Sequence, residues 1–259
     1  MNNKIKRTNI IATIGPASEN SSTLGQLIEA GAGIFRFNLK HNTISWHDKI
    51  IDRARKVAKQ QDKPIQILID LPKSSFQKGI DLAVKKKTDY IALSNIVQAE
   101  EVAKSRQIIR EAKLSANIIA KIETKKALIH FPAILNKSDE VMVARGDLGE
   151  AIPIEKVPFV QKELILSCKK AGKRVIVATE MFLSMVSEKE PTRAEVSDVA
   201  NAVLEGSNAV MLSEETAIGQ YPVAAVEIMN KVILEAESWQ KLGHLEIFTA
   251  KDNKFKFGL

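Results

Sequence analysis

The amino-acid sequence predicts an α/β fold, a (β/α)8 or TIM barrel in which eight parallel strands alternate with helices. Three observations support this prediction. The length of 259 residues suits a single barrel domain. Eight short apolar runs recur along the chain, and helical patterns separate them. An open doubly wound sheet is the alternative, but it normally has a glycine-rich turn after its first strand, where this chain reads Gly15-Pro16-Ala17-Ser18.

The predicted strands are nearly continuous runs of apolar residues, as expected for a parallel sheet covered on both faces. In chain order they are Asn9–Gly15, Ile34–Leu39, Gln66–Leu71, Tyr90–Ile96, Asn117–Glu123, Glu140–Leu148, Arg174–Met181 and Ala209–Glu215.

Helices are predicted from apolar stripes with start and stop residues at their ends. They run from a cap at Ser21 or Ser22 to Gly31, through Val160, Leu164 and Cys168 to Gly172, through Val196, Val199 and Val203 to Gly206, and from Pro222 through Val226, Met229, Ile233 and Ala236. Residues 72–89 have room only for a loop and about two helical turns. We expect the barrel to occupy residues 1–238, with a C-terminal extension over 239–259.

Composition excludes several classes of protein. The net charge of +7 is spread along the chain and aromatic residues are only 5%, too few for base stacking, so we expect no nucleic-acid partner. No apolar run has membrane-spanning length and no signal-peptide pattern is present, which predicts a cytoplasmic protein without membrane contact. The single cysteine, Cys168, excludes an intramolecular disulfide and lies on a helical apolar stripe, where we expect it in the core.

Polar residues collect where the predicted strands end, which is where barrel enzymes place their chemistry. Charged side chains inside apolar runs are costly unless they are paired, so Arg36 and Lys121 are the most informative. Glu123 and Asp147 end neighbouring strands and could hold Mg²⁺ together. The alternative is that Glu123 forms an ordinary ion pair with Lys121 or Arg145.

Long motifs then point to a family. They are TIGPAS at Thr13–Ser18, AKIE at Ala120–Glu123, VARGDLG at Val143–Gly149, PTRAEVSDVANAV at Pro191–Val203 and AVMLSEETAIGQYPVAAV at Ala209–Val226. With them the chain resembles the catalytic barrel of pyruvate kinase over about residues 7–237, the phosphoenolpyruvate/pyruvate-binding type of barrel. The resemblance implies that the family's lid domain is missing, with its truncated insertion at about residues 72–81, and that the C-terminal regulatory domain is missing too.

The resemblance also implies roles for residues that match the family's motifs. Glu123 and Asp147 would bind Mg²⁺ or Mn²⁺. Lys121 would stabilise the enolate oxygen and the phosphoryl group in transfer. Thr179 would lie near the methylene carbon that receives a proton. The backbone N–H groups of Gly146 and Asp147 would hold the substrate carboxylate.

Other matches concern the phosphoryl and nucleotide side. Arg36 would face the phosphoryl group. Pro16 and His41 match nucleotide-side positions, and Trp46 stands where an aromatic surface for adenine is common in the family. Gln77 stands where an arginine would contact the nucleotide phosphates, which weakens the expectation that ADP or ATP binds.

The monovalent-cation site of the family is altered. Asn38 and Asp70 match two of its ligands, but Lys40 replaces a serine ligand. We hypothesise that the Lys40 ammonium occupies this site, so that K⁺ is not required. The alternative is that Lys40 extends into solvent.

The predicted function is therefore pyruvate kinase-like: binding of Mg²⁺ and phosphoenolpyruvate or another small 2-oxo acid, with stabilisation of the enolate. Efficient phosphoryl transfer to ADP is doubtful without the lid. One alternative is a nucleotide-independent lyase, a decarboxylase or aldolase acting through a pyruvate enolate. Another is a non-catalytic partner of a longer homologue. The resemblance also implies a homo-oligomer, a dimer or tetramer.

Overall fold

The computed structural model describes residues 8–241, which form a closed barrel of eight parallel strands. The strands are β1 Asn9–Thr13, β2 Ala32–Asn38, β3 Gln66–Leu71, β4 Tyr90–Leu93, β5 Asn117–Ile122, β6 Glu140–Ala144, β7 Arg174–Ala178 and β8 Ala209–Leu212. Each strand pairs with the next in chain order, and β8 pairs with β1 to close the ring. The predicted fold class is thereby confirmed.

Helices surround the barrel. They are α1 Ser21–Ala30, α2 Ile44–Gln60, α3 Phe76–Lys86, α4 Ala99–Glu111, α5 Lys125–Ile129, α6 Phe131–Lys137, α7 Arg145–Ala151, α8 Val157–Lys170, α9 Arg193–Glu205, α10 Glu214–Ala217 and α11 Pro222–Lys241. None of these described helices combines the length and apolar character needed to cross a membrane.

Apolar side chains form two cores because alternate strand residues point to opposite faces. One set fills the barrel interior: Ile11, Ile34, Leu68, Tyr90, Ala92, Ile119, Met142, Ile176, Ala178, Ala209 and Met211. The other lies between strands and helices and includes Cys168, whose side chain is fully buried. Burial raises the pKa of the Cys168 thiol to about 12, so this residue belongs to the core as predicted.

Several predicted boundaries differ from the structure: β1, β4, β6, β7 and β8 end two to four residues before their predicted ends, β2 begins two residues earlier than predicted, and α1 has another cap. The cap of α1 is Asn20, whose side chain accepts from the Thr23 N–H at 2.8 Å, so Ser21 and Ser22 belong to the first turn. The sixth strand does not reach Leu148, because pairing with β7 stops at Ala144 and α7 follows at once. The predicted helix end at Gly31 is confirmed by its left-handed conformation, with φ of 110°.

The third crossover is direct. The chain leaves β3 at Pro72 and enters α3, which has 11 residues and so is a turn longer than predicted. A Cβ atom at Gly79 would lie 2.1 Å from Leu71 Cδ2, so the glycine lets α3 pack on the end of β3. No additional domain stands between β3 and α3 in this described stretch.

The last helix, α11, ends at the last residue that the structure describes. α11 begins at Pro222 as predicted and continues to Lys241. The first residues of the predicted extension 239–259 therefore continue the last helix. Residues 242–259 lie outside the described residues.

Candidate active site at the mouth of the barrel

The candidate site is a polar layer directly above the apolar interior of the barrel. Strand alternation explains it: Ile34 faces the interior, and Arg36, two residues further along β2, faces the same way. The same step on the other strands adds the rest of the layer, which consists of Thr13, Arg36, Asp70, Ser94 and Lys121. All five residues are at least nine-tenths buried.

Asp70 is the centre of this layer. The Arg36 guanidinium donates to Asp70 Oδ2 from Nε at 3.0 Å and from Nη2 at 2.8 Å, and its Nη1 donates to Thr13 Oγ1 at 2.9 Å. The Ser94 hydroxyl donates to Asp70 Oδ1 at 3.0 Å. Burial by itself would raise the pKa of Asp70, but the charges of Lys121 and Arg36 outweigh it and lower that pKa. Asp70 is therefore a buried anion.

Lys121 joins this anion to a second one. Its Nζ lies 3.2 Å from Asp70 Oδ2 and 2.8 Å from Glu123 Oε1, and it donates to Ser94 Oγ at 3.0 Å. Burial would lower the pKa of Lys121, but the carboxylates of Asp70 and Glu123 raise it. The site thus holds a permanent, nearly desolvated ammonium beside the pocket.

Glu123 and Asp147 fit the donor set that Mg²⁺ uses, one or two carboxylates completed by water and substrate oxygens. Both line one pocket, with Glu123 buried and Asp147 exposed. Glu123 Oε1 contacts Lys121, and its Oε2 accepts from the Asn95 N–H. The described residues contain no group of three or more His, Cys, Asp or Glu side chains that could hold a metal ion.

Thr179 stands at the pocket edge in an unusual backbone conformation. Its φ is 69° and that of Glu180 is 53°, in the left-handed region that a β-branched residue rarely adopts. Such conformations cost about 1–3 kcal/mol each and concentrate at functional sites. The Thr179 hydroxyl accepts from the Gly146 N–H at 2.7 Å and donates to Ala178 O at 2.6 Å.

The pocket above this layer has a volume of about 480 Å³. It brings together most of the predicted site residues: Arg36, Asn38, Lys40, His41, Lys121, Glu123, Gly146, Asp147 and Thr179. An adjoining pocket of about 400 Å³ shares Arg36, Asn38 and His41 with it and adds Pro16. Asp70 lies beneath the pocket floor.

Trp46 lies outside the two pockets, and Lys40 lines the first of them with an exposed side chain. Trp46 lines neither pocket: its Nε1 donates to Glu19, and its ring packs edge-on against His47, with centroids 4.9 Å apart. The Lys40 side chain is exposed, and within residues 8–241 its ammonium forms no ion pair. The cations that pair with Asp70 are Arg36 and Lys121.

Glu215, one of the polar residues at the strand ends, has a structural role. It is fully buried and accepts from the Phe182 N–H at 3.0 Å and the Ser213 N–H at 2.6 Å. Burial raises the pKa of its carboxyl group. Glu215 therefore ties the loop after β7 to the end of β8 and does not face the pocket.

Sequence reasoning missed Thr13 and Ser94 as members of the polar layer. Both are small hydroxyl residues without charge, so they do not stand out in an apolar run. The signal that could have found them is strand alternation: Ser94 lies two residues beyond Ala92, which faces the barrel interior.

Comparison with known proteins agrees with this geometry. The family model "Pyruvate kinase, barrel domain" matches residues 5–79 and 73–226. Pyruvate kinase of Thermococcus litoralis is 32% identical over 91% of this chain and 70% of its own length. Pyruvate kinase 2 of Synechocystis is 34% identical over 88% of this chain, and pyruvate kinase of Staphylococcus aureus 31% over 91%. The chain spans only 56% and 58% of the latter two proteins. With most of its length matched both by that model and by these relatives, the chain belongs to the pyruvate kinase family.

Proposed function

We propose that this chain catalyses enolpyruvate chemistry of the pyruvate kinase type on phosphoenolpyruvate, pyruvate or a closely related 2-oxo acid. The observation that carries the proposal is the position of Lys121. Its ammonium lies between Asp70 and Glu123 and borders the pocket that Asp147 and Thr179 also line. A fixed cation beside developing negative charge is the largest kind of catalytic effect.

Glu123 and Asp147 would hold Mg²⁺ or Mn²⁺. When bound, this ion supplies positive charge to the carboxylate and enolate oxygens of the substrate. Lys121 then stabilises the enolate oxygen from the floor of the pocket. Glu123 Oε1 lies 2.8 Å from the Lys121 ammonium and Oε2 accepts from the Asn95 N–H, so a bound ion would share this carboxylate with both partners.

The remaining pocket residues orient the substrate and move a proton. The N–H groups of Gly146 and Asp147 would bind the substrate carboxylate, for which the Gly146 N–H must leave Thr179 Oγ1. Arg36 would face a phosphoryl group while its Nε and Nη2 remain on Asp70. Thr179 would lie at the carbon that is protonated.

A monovalent cation is not needed in this proposal. Asp70 already forms ion pairs with two cations, Arg36 and Lys121, which balance its negative charge. Lys40 lines the same pocket and adds a further positive charge beside Asn38, whose Oδ1 accepts from the Lys40 N–H at 3.1 Å. We expect the activity to be the same in KCl and NaCl.

One observation favours the lyase as a second candidate. The direct passage from β3 to α3 leaves the mouth without a lid, and closing lids exclude water and complete phosphoryl-transfer sites. Enolate formation needs only the barrel residues. A decarboxylase or aldolase that uses no nucleotide would therefore retain the whole of the polar layer described here.

The test compares three reactions in the purified protein with Mg²⁺. They are exchange of the pyruvate C3 protons with D₂O, followed by NMR, ATP formation from phosphoenolpyruvate and ADP, and oxaloacetate loss without nucleotide. We expect C3 exchange, with slow ATP formation. Oxaloacetate loss much faster than ATP formation would favour the lyase. No activity, together with no stabilisation by Mg²⁺ and oxalate, would contradict the proposal and favour a non-catalytic partner.

Lys121→Met is the decisive variant for this proposal. It keeps the buried stem but removes the ammonium, so we expect C3 exchange to fall by about 10²–10³-fold. Lys126→Met, an exposed lysine on α5, is the matched control and should exchange like the wild type. Equal rates in the two variants would contradict the role of Lys121.

A further inference from the structure

The strained pair Thr179–Glu180 needs an external support. Two consecutive residues with positive φ, one of them β-branched, persist only where surrounding contacts over-determine them. The hydrogen bonds of the Thr179 hydroxyl do not explain this conformation, because they fix only the side chain and do not hold the carbonyl groups of Thr179 and Glu180.

Arg145 supplies that support from the first turn of α7. Its Nε and Nη2 donate to Thr179 O at 3.2 and 2.8 Å, and Nη2 also donates to Glu180 O at 3.0 Å. Its Nη1 donates to Asp198 Oδ2 on α9 at 2.6 Å. The guanidinium side chain is only 9% exposed. A planar group with fixed donors thus binds both strained carbonyls and is itself oriented by a carboxylate.

We propose that Arg145 is a positioning residue that holds the Thr179 hydroxyl at the reacting carbon. The adjacent Gly146 N–H binds the same hydroxyl in this structure, but it would turn to the substrate carboxylate, whereas the Arg145 hydrogen bonds to the carbonyls would remain. Arg145 acts through Thr179 and does not line the pocket. This inference rests on the proposed function only for the role of Thr179; the support of the strained backbone is independent of it.

Arg145→Lys tests the inference because lysine keeps the charge but cannot bind Asp198 and both carbonyls at once. The matched control is Arg174→Lys, an arginine that pairs with Glu140 at the opposite end of the barrel. Three quantities are measured in each protein: the rate of pyruvate C3 exchange, the affinity for Mn²⁺ with oxalate, and the amide hydrogen exchange of residues 178–182.

In Arg145→Lys we expect C3 exchange to slow by about tenfold or more, as misplaced catalytic groups do. The affinity for Mn²⁺ with oxalate should change less than about threefold, since the ligands are untouched. Amide exchange of residues 178–182 should become faster. Arg174→Lys should show none of these changes. Two results would overturn the inference. One is that Arg145→Lys exchanges both the pyruvate C3 protons and the amides of residues 178–182 at wild-type rates. The other is that its affinity for Mn²⁺ with oxalate falls in proportion to its C3 exchange rate.

A second pair of variants isolates the backbone. Asparagine tolerates positive φ and glutamine does not, and both remove the charge of Glu180. In the Arg145→Lys background, Glu180→Asn should recover part of the lost amide protection, and Glu180→Gln should not. Equal protection in the two would overturn the inference. If the wild type shows no C3 exchange, the proposed function fails, and the amide measurements still decide the role of Arg145.

Discussion

At the scale of single residues, the mouth of the barrel is governed by Asp70. This carboxylate is 1% exposed and is paired with two cations, Arg36 and Lys121. Breaking a buried ion pair by removing one partner is costly, because the remaining charge stays buried without compensation. Asp70 therefore holds two positive groups at a place where an apolar interior would exclude them.

Asp70→Asn should lower the free energy of unfolding at pH 7 by about 3–5 kcal/mol. The folded-state pKa of Asp70 is below that of the unfolded chain, about 3.9. Its stabilisation is therefore complete above that value and is lost as the pH falls through the folded-state pKa. Urea unfolding between pH 3 and 7 measures this effect. The difference in the free energy of unfolding between wild type and Asp70→Asn should become smaller as the pH falls.

The control for this prediction is Asp81→Asn, an exposed carboxylate on α3 whose loss should cost less than about 0.5 kcal/mol. A difference between Asp70→Asn and wild type that stays constant down to pH 3 would contradict the assigned charge state of Asp70.

Sequence reasoning found the charged members of the polar layer, Arg36, Asp70 and Lys121, and missed its hydroxyl residues, Thr13 and Ser94. Arg36 and Lys121 interrupt apolar runs, and a buried charge needs a partner. The sequence indicates Arg145 only as a possible ion-pair partner of Glu123, because nothing in it shows that the Arg145 side chain binds the carbonyl groups of a strained turn. The position of the charged group on a long side chain, such as the Lys40 ammonium, depends on tertiary packing and on the freedom of that side chain to rotate.

At the scale of elements, the link between β3 and α3 decides how open the site is. α3 is held against α2 by Lys86, whose Nζ lies 2.7 Å from Asp52 Oδ1 and 3.0 Å from Asp48 Oδ1. The Lys86 side chain is 6% exposed, whereas neighbouring Lys85, which also contacts Asp48, is 65% exposed. Of the two lysines, only Lys86 has a shielded side chain, although its partners Asp48 and Asp52 are 23% and 65% exposed.

Lys86→Met should therefore destabilise the protein by about 1–2 kcal/mol, since it removes charged hydrogen bonds from a buried position. Lys85→Met should change stability by less than about 0.5 kcal/mol, as exposed pairs contribute little. Chemical unfolding of both variants measures this contrast. Equal effects would show that Lys86 does not fasten α3 to α2.

The existence of the elements was easier to predict than their ends. Apolar runs and helical stripes depend on periodicity, which the sequence displays directly. The end of β6 was missed because Val143 and Ala144 continue an apolar run into Arg145, and the strand-to-helix change depends on pairing with β7. The cap at Asn20 was missed because two serines follow it.

At the scale of the whole molecule, the closed ring explains why distant segments share one site. Parallel strands all end at the same rim, so residues from β2, β5 and the loops after β6 and β7 meet there. The homo-oligomer stays a prediction, which sedimentation velocity would test.

The most direct test of the account is Mn²⁺ binding measured with and without oxalate, in wild type and in Glu123→Gln. We expect oxalate to tighten Mn²⁺ binding in the wild type, because the site needs substrate oxygens. Glu123→Gln should weaken Mn²⁺ binding by about tenfold or more, and Glu111→Gln, an exposed control on α4, should not. Unchanged Mn²⁺ affinity in Glu123→Gln, or no effect of oxalate on the wild type, would contradict the proposal that Glu123 holds a metal ion together with the substrate.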